Sequence, residues 1–92
     1  MPSLRTVVTL SGELDLSNAP ALHASLGGVS GPAVVDLSAV TYLDSTALYE
    51  LALLRRRVES VVLIVPSPQI RRTLEIVGFT KTFRVLEQRE LD

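Results

Sequence analysis

Asp44, Ser45 and Thr46 are three consecutive polar residues between an apolar strand pattern and an apolar helical pattern. The N-terminus of a helix carries partial positive charge, so a phosphate is stabilised there. Ser45, with Thr46 as the second choice, presents a hydroxyl where a phosphate would be stabilised. Asp44 caps the helix, orients the Ser45 hydroxyl for a kinase, or does both. On spacing alone, Asp-Ser-Thr before an apolar helix is more typical of a purely structural cap, and that alternative stays open.

A second motif, Leu10-Ser11-Gly12-Glu13-Leu14-Asp15, lies about thirty residues upstream. Together with the segment from Val34 to Leu48, it resembles the signature of the STAS domain, the fold of bacterial anti-sigma factor antagonists. The resemblance covers nearly the whole chain, so residues 1–92 are expected to form a single STAS-like domain. In this family the serine that matches Ser45 is phosphorylated.

The resemblance implies a non-enzymatic protein that regulates bacterial transcription. Its unphosphorylated form would bind an anti-sigma factor that is also an ATP-dependent serine kinase, thereby releasing the sigma factor. Phosphorylation of Ser45 would prevent this binding. The partner-binding residues that the resemblance implies are Asp15, Asp44, Ser45, Thr46, Ala47 and Tyr49.

Two residues depart from the family pattern close to Ser45. Ala47 stands where a glycine is usual, and Tyr49 stands where a small residue is common. Tyr49 lies four residues after Ser45 and hence on the same helical face. Its ring would cover the Ser45 hydroxyl, hydrogen-bond to it, or fill a pocket on a partner of different shape. An accessory subunit of an ABC-type lipid transporter, without phosphorylation, is therefore the alternative function.

A small enzyme or nucleotide-binding domain is the third and weakest hypothesis. The chain has no glycine-rich phosphate loop and no nucleophile with a base and an orienting group, so we expect no catalysis and no cofactor. It has no cysteine and a single histidine, which argues against a metal site. The formal net charge of -1 provides no global basic field for nucleic acid. No apolar run approaches the roughly 18 residues of a membrane span, and we expect a cytoplasmic protein without membrane insertion.

Hydrophobic periodicity and turn residues predict alternating strands and helices. We expect strands at Leu4–Leu10, ended by Gly12, and at Ala33–Leu37, Val61–Val65 and Thr82–Leu86. We expect three helices: one capped by Ser17 and closed at Gly27, one over Ser45–Arg57, and one capped by Ser67 and ended by Gly78. Short connections in this order predict an α/β fold with a four-stranded, mostly parallel sheet.

The ends of the chain and one arginine cluster complete the sequence-based expectations. Relative to the family, an extra strand before Leu4 and a terminal helix before the last residue, Asp92, are expected to be missing. An open sheet edge could then support a homodimer. Arg55, Arg56 and Arg57 are interpreted as the solvated end of their helix.

Overall fold

The computed structural model describes residues 5–88 and contains one sheet of four parallel strands in the order β1-β2-β3-β4. The strands are β1 Thr6–Leu14, β2 Ala33–Leu43, β3 Val61–Ile64 and β4 Arg84–Leu86. The helices are α1 Ala19–Gly27, α2 Ser45–Arg57, α3 Pro68–Ile76 and α4 Phe79–Thr82, and a 3₁₀ turn spans Leu16–Asn18. The predicted α/β fold with a parallel sheet is confirmed.

The core lies between one face of the sheet and the helices. The strands have the same order in the sheet as in the sequence. When parallel strands in this order are joined by right-handed crossovers, all connecting helices lie on one face of the sheet. The buried residues agree, because Leu63 of β3 joins a single apolar cluster with Leu51 of α2 and Leu74 of α3. Within residues 5–88, no helix is long and apolar enough to cross a lipid bilayer.

The prediction of three helices was wrong, because the segment before β4 forms the fourth helix, α4. Gly78 adopts a left-handed conformation with φ of +80°, which ends α3 and allows a new turn to start at once. Phe79 and Phe83 then pack with their ring centroids 5.1 Å apart. The last strand consequently begins at Arg84 rather than at Thr82. The predicted first residue of β1, Leu4, and the chain end at Asp92 lie outside the described residues.

Strands β1 and β2 are both longer than predicted, and together they extend beyond β3. β3 pairs only with Ala33–Asp36, whereas β1 follows β2 as far as Leu43. Gly12 does not end β1; with φ of +76° it lies at an irregularity in the pairing, a conformation that glycine adopts without strain. The result is a two-stranded arm that carries the residues following β1 and β2 away from the rest of the sheet.

The arginine cluster at the end of α2 is only partly solvated, which corrects the sequence-based interpretation. The Arg55 Nε donates to the Thr82 carbonyl at 3.0 Å. The Arg57 guanidinium donates to the carbonyls of Leu26 and Val29, both at 2.9 Å. One of these carbonyls lies in the last turn of α1 and the other just after it, so Arg57 links the C-terminal end of α1 to α2.

Candidate functional site

Asp44 is the residue that joins the two sequence motifs at the end of the two-stranded arm. Its backbone N–H donates to the Leu14 carbonyl at 3.1 Å. Its side chain accepts two further hydrogen bonds, from the Ala47 N–H to Oδ1 and from the Leu16 N–H to Oδ2, each at 3.1 Å. One carboxylate therefore caps the N-terminus of α2 and also holds the turn that follows β1.

Asp15 caps the 3₁₀ turn next to this carboxylate. Its Oδ1 accepts from the backbone N–H of Ser17 at 3.0 Å and from the Ser17 hydroxyl, while the Asp15 N–H donates to Asn18 Oδ1 at 2.9 Å. The Ser17 hydroxyl and then its N–H lower the pKa of the Asp15 carboxyl below the ordinary value of 3.8. Ser17 was predicted to be the cap, and this was wrong: it donates to the cap, and α1 starts only at Ala19.

Ser45 is the first residue of α2 and is exposed, whereas Thr46 is half-buried. The hydroxyl of Ser45 makes no hydrogen bond to any described residue. It stands beside the Asp44 carboxylate and at the positive end of the α2 dipole. Among residues 5–88, no salt bridge neutralises Asp44 or Asp15. A hydroxyl in this position is accessible to an enzyme, and its surroundings are acidic.

The two residues that depart from the family pattern behave differently in the structure. Ala47 is 0% exposed and belongs to the core, so its side chain is not part of the surface around Ser45. Position 47 points inward because it lies on the apolar stripe with Leu51 and Leu54. Tyr49 is 61% exposed and makes no hydrogen bond to Ser45.

Two exposed apolar residues that sequence reasoning missed flank the same place. Leu16 is 74% exposed and directly follows Asp15, and Tyr42 is 49% exposed at the end of β2. No alternation of the strand marks Tyr42, because Thr41 before it is exposed as well and only Leu43 after it is buried. We use the name switch surface for the exposed residues around Asp44, namely Leu16, Tyr42, Ser45 and Tyr49.

A groove between α1 and α2 contains His23, whose Nδ1 lies 2.8 Å from Glu50 Oε1, and His23 is exposed, as expected for a surface residue. In the described part of the chain, no cluster of His, Asp or Glu side chains is arranged to hold a metal ion.

Comparisons with known proteins agree on one family. The family model described as "Mlab, STAS domain" matches residues 2–87. The chain is 35% identical over 86 residues to the anti-sigma-F factor antagonist RsfB of Mycobacterium tuberculosis, in strains CDC 1551 and H37Rv, covering 86% of this chain and 70% of RsfB. The unphosphorylated anti-sigma factor antagonist SpoIIAA superposes with a TM-score of 0.68 at 20% identity, covering 92% of this chain and 81% of SpoIIAA, which shows that the fold is shared.

Proposed function

Because the chain belongs to the STAS domain family, we propose that it is a non-enzymatic anti-sigma factor antagonist whose binding is switched by phosphorylation of Ser45. The single observation that carries the proposal is the exposed Ser45 hydroxyl at the N-terminus of α2. The neighbouring residue Asp44 accepts a hydrogen bond from Leu16, which directly follows the upstream motif. The similarity to RsfB, named as an anti-sigma-F factor antagonist, supports the class of partner.

The partner would bind the switch surface. Aromatic and aliphatic side chains dominate binding energy at interfaces, and Leu16, Tyr42 and Tyr49 are exposed on the segments that meet at Asp44 and Ser45. Asp15 and Asp44 would contribute a negative rim that selects a complementary basic surface. Thr46 contributes less, because it is half-buried.

Phosphorylation would change the charge of this surface while leaving the fold intact. A phosphoserine adds about -1.5 to -2 charges. The dipole of α2 offsets part of the repulsion from Asp44, because the group lies at the helix N-terminus. The partner would bind the unphosphorylated surface with an uncharged hydroxyl among apolar side chains. After phosphorylation it would have to bury a dianion there, and the cost of removing this charge from water strongly weakens binding.

The test uses the partner captured from the native cell, expected to be an anti-sigma factor with serine kinase activity. Incubation with this kinase and ATP should phosphorylate Ser45, located by mass spectrometry. Ser45→Asp should weaken binding about tenfold, roughly 1.4 kcal/mol, with little change in thermal midpoint. Ser25→Asp, an equal charge change on the exposed face of α1, is the matched control and should bind normally. A phosphate on another residue, or equal weakening by both variants, would refute the proposal.

The second candidate function is that of an accessory subunit of an ABC-type lipid transporter. The bulky Tyr49 beside Ser45 favours it, because a typical anti-sigma kinase would have to accommodate the ring. Capture of an ABC ATPase and permease instead of an anti-sigma factor, with Ser45 unmodified in the complex, would establish this function.

Self-association through the edge of the sheet is a further part of the proposal. Among residues 5–88, β1 pairs with β2 on one side only. Edge strands that are protected against pairing usually carry charged residues or proline. The segment of β1 from Thr6 to Ser11 is instead uncharged and rich in β-branched residues. Sedimentation equilibrium of the chain should show a dimer that the edge variant Val7→Pro dissociates.

A further inference from the structure

The end of the molecule opposite the switch surface is strongly basic. All four parallel strands begin at the same end of the sheet. Helix α2 ends there as well, because it runs back from the end of β2 to the start of β3. We call this end of the molecule the basic end. Six of the nine lysine and arginine residues of the sequence lie there: Arg5, Arg55, Arg56, Arg57, Lys81 and Arg84. The hydrogen bond from Arg55 to Thr82 shows that the ends of α2 and α4 are in contact.

Four residues of the basic end are exposed and make no hydrogen bond or ion pair to a described residue: Arg5, Arg56, Lys81 and Arg84. Only Arg55 and Arg57 donate to backbone carbonyls. Two acidic residues lie near this end, Glu59 in the loop between α2 and β3 and Glu75 in the last turn of α3, and they leave an excess of positive charge.

An apolar groove opens at the same end, between α2 and α4. It has a volume of about 250 Å³, and Ala52, Val77 and Phe79 line it together with Arg56. Beside it, Ile76 is 73% exposed at the end of α3. A concave apolar groove with a cationic rim fits a large apolar side chain flanked by carboxylates. A flat membrane surface would not fill it.

We propose that the basic end binds an acidic segment of a protein partner, with one apolar side chain of that segment seated in the groove between α2 and α4. Along the axis of α2, Ser45 lies about 10 Å from Ala52 and about 16 Å from Arg56, at the other end of the helix. Two proteins can therefore be bound at once, one at each end of the domain, and binding at the basic end does not depend on the state of Ser45.

The probe is a fluorescently labelled twelve-residue peptide of alternating Glu-Glu and Leu-Leu pairs, titrated with the full chain. A peptide with lysine in place of glutamate is the charge control. The glutamate peptide should bind, and its affinity should fall with added salt. Arg56→Glu and Lys81→Glu should each weaken binding about fivefold or more, because each places a like charge opposite the peptide. Arg72→Glu, the same change in the middle of α3, should leave affinity within about twofold.

Two further variants separate this site from the switch surface. Ile76→Ser should weaken binding of the peptide by removing apolar contact. Ser45→Asp should leave peptide affinity unchanged, although it weakens binding of the anti-sigma partner about tenfold. Amide shifts in the bound chain should map to residues 52–57 and 76–83. Equal binding of the lysine peptide, equal loss in Arg72→Glu, or shifts around Ser45 would overturn the inference. It would equally be overturned if the basic end bound only anionic vesicles or a second copy of the chain.

Discussion

Asp44 holds Leu16 across 28 positions of the chain, through a hydrogen bond of 3.1 Å from the Leu16 N–H to its Oδ2. The second oxygen of the same carboxylate caps α2 at Ala47. The position of an exposed apolar side chain and the start of the helix that carries Ser45 therefore depend on one group. A negative charge placed on Ser45 lies next to that group, so the switch surface and its scaffold are electrostatically coupled.

Replacing Asp44 with Asn tests this coupling directly. The amide keeps one carbonyl oxygen, so only one of the two backbone donors can be satisfied. We expect a loss of about 1 kcal/mol in the free energy of unfolding, as for a helix cap. Hydrogen exchange measured by NMR should be faster at the amide of Leu16 or Ala47. Protection of both amides at wild-type levels would show that Asp44 does not hold them.

The core face of α2 gives a second prediction. Leu51 is 0% exposed, so Leu51→Ala should cost roughly 2 to 4 kcal/mol, measured by denaturant unfolding. Leu53→Ala is the matched control, because the same atoms are removed from a half-buried position on the same helix. Its cost should be clearly smaller. Similar midpoints for the two variants would contradict the assignment of the helix face.

Periodicity was sufficient to predict the sheet and the three longer helices, because each buries a regular apolar stripe. It was not sufficient where tertiary contacts decide the local structure. Gly12 reads as a strand end, but pairing with β2 carries β1 on to Leu14. Ala47 reads as part of the functional motif, yet its place on the apolar stripe of α2 buries it. Arg57 reads as solvated, and only the packing of α1 beside α2 reveals the carbonyls that it binds.

The site was predictable in its residues but not in its connections. Asp44 and Ser45 follow from local capping chemistry, which depends on neighbours in sequence. The hydrogen bond from Leu16 to Asp44 depends on the length of the two-stranded arm, which no local pattern encodes. For the same reason Leu16 and Tyr42 were missed as exposed apolar residues, since exposure is decided by what packs nearby.

The carboxyl of Asp15 should titrate below its usual range, because hydrogen bonds from Ser17 stabilise its charged form. Its contribution to the stability of the 3₁₀ turn is therefore present above the unfolded-state pKa and is lost as pH falls through the lower folded-state pKa. Ser17→Ala removes the hydroxyl donor and should raise the pKa of Asp15 in an NMR titration. Ser25→Ala should leave it unchanged. An identical pKa in the Ser17 variant would show that the hydroxyl has no such effect.

Tyr49 has two alternative roles: its ring either contacts the partner or covers the Ser45 hydroxyl. Because its ring is 61% exposed and makes no hydrogen bond to Ser45, we expect Tyr49→Ala to leave the thermal midpoint nearly unchanged. The variant should weaken binding of the captured partner about tenfold, roughly 1.4 kcal/mol, measured by isothermal titration calorimetry.

The control for this experiment is Ile76→Ala, which removes an equally exposed apolar side chain at the basic end. It should leave affinity for the same partner unchanged. The rate at which an anti-sigma kinase phosphorylates Ser45 should be measured on the same Tyr49→Ala protein. A faster rate with unchanged partner affinity would mean that the ring covers the hydroxyl. Weaker binding with an unchanged rate would instead place Tyr49 in the interface, as its exposure and the absence of a hydrogen bond to Ser45 lead us to expect.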